Sequence, residues 1–299
     1  MDVPQGARLL SIGEIFDRAI SVLFRNVWTL TLTFGAFLLP YVLLFSWVER
    51  ALAVRVYGAI ESVIAHPDRS PAFNPISPSN RLDANGWWLI ALGLIVFPLA
   101  GAAIAAFTAG TASGDRPSFS TSLRRAFRSW PRSVWVSLLS VVGVASGIFV
   151  VAAVYFVAVV IWVVATNQPF SDKAAMAFVV VVAIITSLFA IGAVPWATCA
   201  FGAATLDDVG PFGALVGAWR MCFRRSAAVR SLLFGFGMWA IVVVGMLFFY
   251  IIAVIGIAIH QNYAASAVRL IGLTELAVFV NVAGALFYLD GKARRERRF

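Results

Sequence analysis

The chain has 299 residues, of which 61% are hydrophobic and only 12% are charged. Soluble globular domains carry roughly a quarter charged residues, so this composition excludes an ordinary soluble domain and indicates a protein of the lipid bilayer. The formal net charge is +9, but no recognition module accompanies it, which argues against a nucleic-acid-binding protein.

Long apolar runs predict an all-α, polytopic membrane fold. The hydrocarbon core is about 30 Å thick and a helix rises about 1.5 Å per residue, so a span needs about 20 apolar residues. We predict six transmembrane helices, at 27–48, 87–109, 133–166, 174–204, 231–260 and 270–289. Charges interrupt the first residues, so we expect no cleavable signal peptide.

An amphipathic segment precedes the first span. Ile12, Ile15, Ala19 and Val22 recur at helical spacing, which predicts a helix with one apolar face. We expect this helix to lie in the membrane interface, with its apolar face in the acyl boundary and its arginines among the lipid phosphates. Trp28, at its end, prefers the depth of the lipid headgroups.

The same motif recurs before the third and fifth spans. The segments are FDRAISVLFRNVW at 16–28, LRRAFRSWPRSVW at 123–135 and, more faintly, LVGAWRMCFRRSA at 215–227. They predict three units, each an interfacial helix followed by a transmembrane hairpin. The units cover about 10–112, 113–205 and 206–290, and a basic tail at 291–299 follows. We expect Pro131 to separate the second interfacial helix from its span.

The basic residues predict an orientation. Of the 23 Lys and Arg residues, 17 lie in the N-terminal segment, near 110–132 and 205–230, or at the C-terminus. The positive-inside rule places these segments and both termini in the cytoplasm, and the protein in the cell (inner) membrane. The loop at 49–86 then lies outside, where a lid or partner surface is conceivable and a passive connector is favoured.

The arginines of the three motifs are the candidate lipid or partner contacts. Membrane anchoring alone would explain these arginines and is favoured over a specific headgroup or partner site. Each juxtamembrane Lys or Arg contributes about 1 kcal/mol of binding free energy beside anionic lipid. The candidates are Arg18, Arg25, Arg124, Arg125, Arg128, Arg132, Arg220, Arg224 and Arg225.

Few polar or helix-breaking residues fall within the predicted spans. Glu275 and Asn281 are a candidate intramembrane polar site, because a carboxylate within a span is a functional candidate by default. In the alternative interpretation, the Glu275 side chain extends to the outer membrane interface and has no functional role. The prolines that we expect to kink the spans, framing a site or serving packing, are Pro40, Pro98 and Pro195.

Groups for catalysis or metal binding are scarce. His66 and His260 lie at distant, outward-facing edges, and Cys199 and Cys222 have no metal-ligand spacing. Asp207 and Asp208 precede Pro211, where we expect them to cap the next helix. We therefore predict no metal, no cofactor and no enzymatic activity.

Two short motifs resemble a bacterial family of six-span membrane proteins. LLSIGEIFDRAISVLFRNVWTL near the N-terminus and ALFYLDGKARRERR near the C-terminus are similar to the family described by the membrane domain of glycerophosphoryl diester phosphodiesterase. The resemblance implies six helices and a membrane location, with no catalytic residues, since the family's phosphodiesterase chemistry belongs to a separate soluble barrel. The matching residues are Leu10, Ile12, Gly13, Glu14, Ile15, Phe16, Asp17, Tyr288, Asp290, Arg294, Arg295 and Glu296, whereas Gly291 and Lys292 depart from the usual spacing.

Three functional hypotheses remain open at the level of sequence. The first is a non-enzymatic membrane protein that engages anionic phospholipid of the cytoplasmic leaflet, or a membrane or envelope protein, through its basic interfacial helices. The second is a small-molecule or lipid transporter with a pathway near Glu275 and Asn281. The third, by analogy with the family's fusions, is an accessory subunit of a separate enzyme.

Overall fold

The computed structural model describes residues 9–32, 84–115, 117–166, 172–225, 227–258 and 262–297. These residues form helices and no strands, as predicted. A short helical segment at 27–32 accompanies seven longer helices. The longer helices are α1 (Ile12–Arg25), α2 (Ala84–Ala112), α3 (Phe119–Thr166), α4 (Asp172–Leu206), α5 (Pro211–Cys222), α6 (Ala228–Ala258) and α7 (Asn262–Glu296).

Four of the helices contain a stretch long and apolar enough to cross a membrane. The stretches are Leu92–Ala112 in α2, Ala183–Leu206 in α4, Ala228–Phe249 in α6 and Ile271–Glu296 in α7. The predicted third span lies within α3, which is helical but is not one of these four. Most of the predicted first span, with Pro40, lies outside the described residues, as does the loop at 49–83.

α4 and α7 form the centre of the bundle. α4 contacts α2, α3, α5, α6 and α7, and α7 also contacts α1, α2 and α6. Apolar side chains of both helices are buried together with the alanine-rich part of α2. Because lipid tails are as apolar as leucine, helices in a bilayer associate through close packing of small residues.

The basic segments meet at one end of this bundle, which we call the basic end. Asp290 near the end of α7 contacts Leu10 before α1 and Arg230 in the first turn of α6. Arg125 near the start of α3 contacts Leu206 at the end of α4. α1, α3 and α6 therefore begin where α4 and α7 end.

α1 is amphipathic as predicted, but its apolar face packs on protein. Ser11 and Glu14 form a capping box at its start. Ile15 and Ala19 are fully buried, and the Phe16 ring stacks on Phe234 of α6 at a centroid distance of 5.7 Å. The expectation that this face enters the acyl boundary is therefore wrong.

α3 runs through Pro131 without a break. The predicted separation of an interfacial helix from its span is wrong, because Phe119–Thr166 is one helix with Pro131 inside it. Hydroxyl groups bond the backbone on both sides of the proline. Ser129 donates to the Ala126 carbonyl at 3.2 Å, and Ser133 donates to the Ser129 carbonyl at 3.1 Å.

The basic tail and the start of α5 also differ from expectation. α7 continues as a helix to Glu296, so most of the predicted tail is its last part. The N-cap of α5 is Gly210, with no side-chain capping bond, and Pro211 is its first residue. The capping role expected of Asp207 and Asp208 is therefore wrong, because both carboxylates have other partners.

Pro195 lets two helices pack very closely. A proline has no N–H, so it leaves the carbonyl four residues earlier, that of Ile191, without its helical donor. Gly235 of α6 packs against this carbonyl, and a Cβ added at Gly235 would lie 1.9 Å from the Ile191 oxygen. Only glycine fits there, so the kink at Pro195 belongs to the packing of α4 on α6.

Gly235→Ala is expected to destabilise the protein strongly. The new methyl group would meet backbone that no rotamer change can move, and overpacking of this kind costs about 1–3 kcal/mol or more. Gly192→Ala is the matched control, because a Cβ at Gly192 has nothing within 4 Å and alanine favours a helix by about 1 kcal/mol. Thermal unfolding in detergent, followed by circular dichroism, measures both. Equal melting temperatures for Gly235→Ala and wild type would contradict the close approach.

Candidate anion-binding site

A pocket of about 360 Å³ opens at the basic end, between α5, α6 and α7. α5 ends at Cys222, and the turn that follows it leads into α6 beside the last residues of α7. Guanidinium groups from all three helices and the turn therefore converge. The arginines that line the pocket are Arg220, Arg224, Arg230, Arg294 and Arg295.

One carboxylate, that of Asp290, organises two of these arginines. Its side chain is only 4% exposed. Oδ2 accepts from Nη2 of Arg230 at 2.5 Å and from Nε of Arg294 at 2.6 Å, while Oδ1 accepts from the backbone N–H of Leu10 at 2.7 Å. Arg294 also donates to the Leu10 carbonyl at 2.6 Å. Both oxygens of the buried carboxylate thus accept hydrogen bonds, and its charge is paired.

Arg230 is the deepest cation of the pocket. Its guanidinium carbon lies 4.8 Å from the centroid of the Phe287 ring, a distance at which cation and ring attract. Its Nε is buried and has no hydrogen-bond partner among the described residues. An orphaned donor on a buried cation is costly, so an acceptor supplied by a ligand would be stabilised there.

The charge balance of the pocket favours an anion. Among the described residues, five arginines and no carboxylate line the pocket, and Asp290 behind Arg230 and Arg294 offsets one charge, which leaves a surplus of four positive charges (five minus one). Guanidinium groups stay protonated at any physiological pH and present forks of N–H donors that match phosphate and carboxylate oxygens. The geometry therefore suits a ligand with several anionic oxygens, as a phosphate group has.

The other predicted arginines lie elsewhere. Of the nine candidates, only Arg220 and Arg224 line this pocket. Arg125 donates to the Leu206 carbonyl at 2.6 Å, and Arg132 pairs with Asp208. Both therefore bind α3 to the end of α4, where cations are favoured by the helix dipole. Five are exposed and do not line the pocket: Arg18, Arg25, Arg124, Arg128 and Arg225.

Asp207 joins the end of α4 to α7. Its carboxylate accepts from the hydroxyl of Tyr288 and from Nζ of Lys292, the latter at 2.8 Å. Asp208 has positive φ, 58°, a conformation that Asp and Asn tolerate better than most residues. Both carboxylates therefore serve contacts between helices and take no part in the arginine pocket.

Glu275 and Asn281 do not form one polar track. Glu275 accepts from the hydroxyl of Thr31, and its Oε2 is buried with no partner among the described residues. Asn281 lines a different cavity, between α2, α3, α4 and α7, and donates to the Ala277 carbonyl at 2.8 Å. Six residues correspond to about 600° of helical rotation, which leaves the two side chains roughly 120° apart.

The two cysteines are hydrogen-bonded neighbours in the core. Cys199 of α4 and Cys222 at the end of α5 are both buried and unoxidised. Hydrogen bonding with the Cys199 thiol lowers the pKa of the Cys222 thiol. Within the described ranges no cluster of His, Cys, Asp and Glu could hold a metal ion, and His66 and His260 lie outside them.

The sequence reasoning missed three of the five pocket arginines as site residues. Arg230, Arg294 and Arg295 counted only toward the charge bias or the resemblance. One local signal was available, because Asp290 and Arg294 are four residues apart and so lie on the same helix face. The contact of Arg230 with Asp290 joins residues 60 positions apart, and no spacing rule indicates it.

Comparison with known protein families, with curated proteins and with solved structures finds no match. The resemblance to the six-span family therefore stays a prediction.

Asp290→Asn is expected to lower the free energy of unfolding by about 3 kcal/mol, because it leaves the largely buried Arg230 and the half-buried Arg294 without a countercharge. The control is Glu296→Gln, whose half-exposed carboxylate is 4.0 Å from Lys292. A change of at most about 0.5 kcal/mol is expected there. Unfolding by SDS titration from mixed micelles measures both variants. Similar values for the two would show that Asp290 does not hold the basic end together.

Proposed function

We propose that this chain is a non-enzymatic, multi-pass membrane protein that binds a phosphate-bearing anionic lipid in its arginine pocket. The observation that carries the proposal is the convergence of Arg220, Arg224, Arg230, Arg294 and Arg295 on one pocket beside a single carboxylate. The phosphate of a headgroup would accept from the guanidinium forks, including the orphaned Nε of Arg230.

The proposed topology supports this ligand. We propose six spans in three units, with both termini in the cytoplasm, which places the basic end at the cytoplasmic leaflet. Phospholipid headgroups lie at the depth where spanning helices end, and α7 ends beside the pocket. Apolar side chains next in sequence to pocket arginines are exposed, with Trp219 59% and Val229 69% accessible. They suit contact with lipid chains next to a bound headgroup.

The test separates a defined pocket from general attraction of a basic surface. The purified protein is placed in phosphatidylcholine nanodiscs, and binding of short-chain phosphatidylglycerol is measured at low and at physiological salt. One triple variant changes Arg220, Arg224 and Arg295 to Gln. Its control changes Arg18, Arg124 and Arg128 to Gln, with the same loss of charge at exposed sites outside the pocket.

The pocket variant is expected to bind roughly 100-fold more weakly, since each arginine contributes about 1 kcal/mol beside an anionic lipid. The control should stay within about threefold of wild type, because Arg18, Arg124 and Arg128 do not line the pocket and salt screens their attraction for a ligand bound there. Equal losses in both variants would refute a specific site. Inorganic phosphate, added as competitor, reports whether the headgroup phosphate alone suffices, and native mass spectrometry identifies co-purified lipid.

A further inference from the structure

A second cavity, of about 500 Å³, lies within the spanning part of the bundle. α2, α3, α4 and α7 surround it, and it shares no residue with the arginine pocket. Its volume is within the range of small-molecule sites, roughly 300–1,000 Å³. Most of its described wall is apolar. Among the described residues no charged side chain lines it, and four polar side chains do: Ser137, Ser140, Thr198 and Asn281.

Two donors in this wall are uncommitted. Ser140 is 5% exposed, and its hydroxyl has no hydrogen-bond partner among the described residues. Serine in a helix usually satisfies itself on the carbonyl four residues earlier, as Ser133 does. Asn281 uses one amide hydrogen on the Ala277 carbonyl, which leaves its second hydrogen available.

Pro98 adds an acceptor to the same wall. It provides no N–H to the carbonyl of Leu94, and both residues line the cavity. The comparable carbonyl at Pro195 is covered by Gly235. At Pro98, by contrast, the cavity lies beside the helix, which leaves room for a ligand hydroxyl near the Leu94 carbonyl.

The mouth of the cavity is apolar. Phe97 of α2 and Val141 of α3 line the cavity, yet they are 40% and 54% exposed. Both belong to the part of the bundle that the hydrocarbon core would surround. A ligand therefore enters from the lipid, and an ionised group would lose its hydration there with no countercharge to replace it.

We infer that this cavity binds a neutral acylglycerol, a lipid with a long apolar chain, an ester and a free hydroxyl. The ester carbonyl accepts from Ser140 and Asn281, and the hydroxyl donates to the Leu94 carbonyl. The apolar chain leaves past Phe97 and Val141. The inference does not rest on the arginine pocket, and either site can fail without the other.

The experiment uses the full chain in phosphatidylcholine nanodiscs and radiolabelled 1-monooleoylglycerol as probe. Ser140→Ala removes the uncommitted hydroxyl at almost unchanged volume. Its matched control is Ser122→Ala on the same helix, because Ser122 is also buried with an unpartnered hydroxyl but does not line the cavity. Removing either hydroxyl should leave stability equal to wild type or slightly higher.

We expect Ser140→Ala to bind the probe about fivefold more weakly, as the loss of one neutral hydrogen bond implies, and Ser122→Ala to bind as wild type does. Ser137→Leu, which fills the cavity, should abolish saturable binding, with its melting temperature measured to confirm folding. Ionised oleate, with the same chain, should bind at least tenfold more weakly than the probe.

Equal binding by wild type, Ser140→Ala and folded Ser137→Leu would overturn the inference, because the probe would then only partition into lipid. Oleate that binds as tightly as the probe would also overturn it, since the site would not select a neutral lipid. If Ser137→Leu does not fold, the comparison of Ser140→Ala with Ser122→Ala still decides the matter.

Discussion

The carboxylate of Asp290 holds together three parts of the chain that are distant in sequence. It accepts from the backbone of Leu10, from Arg230 where α6 begins, and from Arg294 on its own helix. A side chain that is 4% exposed carries a charge at low cost only when donors surround it. Since α1 and α6 begin and α7 ends at this carboxylate, it sets both the position of these helices and the shape of the arginine pocket.

The same contact divides the pocket arginines into two kinds. Arg230 and Arg294 are held by Asp290, so their remaining N–H groups are presented in fixed directions before a ligand arrives. The side chains of Arg220, Arg224 and Arg295 have no hydrogen-bond or ion-pair partner in the described part of the chain and supply charge from the rim. Fixed donors lower the entropy cost of binding. Rim charges without such partners must be ordered when a ligand binds, and their contribution to affinity falls as salt rises. The hydrogen bonds of Asp290 therefore stabilise the fold and, at the same time, orient two donors of the pocket.

Sequence patterns within one helix predicted where helices form and which face of α1 is apolar. They did not predict the contacts between helices. Apolar runs indicated the helices, and the spacing of Ile15 and Ala19 indicated one face of α1. That spacing does not reveal what covers the face, because the interior of a helix bundle and the lipid chains are equally apolar. Asp207 shows the same limit. Its position before Pro211 favoured a cap, but its partners, Tyr288 and Lys292, come from residues more than 80 positions away.

The prolines in the spans show why a local signal does not decide function. Pro98 and Pro195 have the same chemical effect, a carbonyl without its helical donor. At Pro195 a glycine of α6 covers that carbonyl, and the result is close packing. At Pro98 a cavity lies against the helix instead. What each proline does is therefore decided by the residue opposite it.

The position of each cavity along the bundle governs whether charged residues can line it. In the proposed topology the five arginines lie among headgroups and water, which lower the free-energy cost of a charge. The polar side chains described around the cavity at Pro98 are all neutral. The two proposed sites would therefore suit opposite classes of lipid, because each can satisfy only the kind of polar group that its own depth permits.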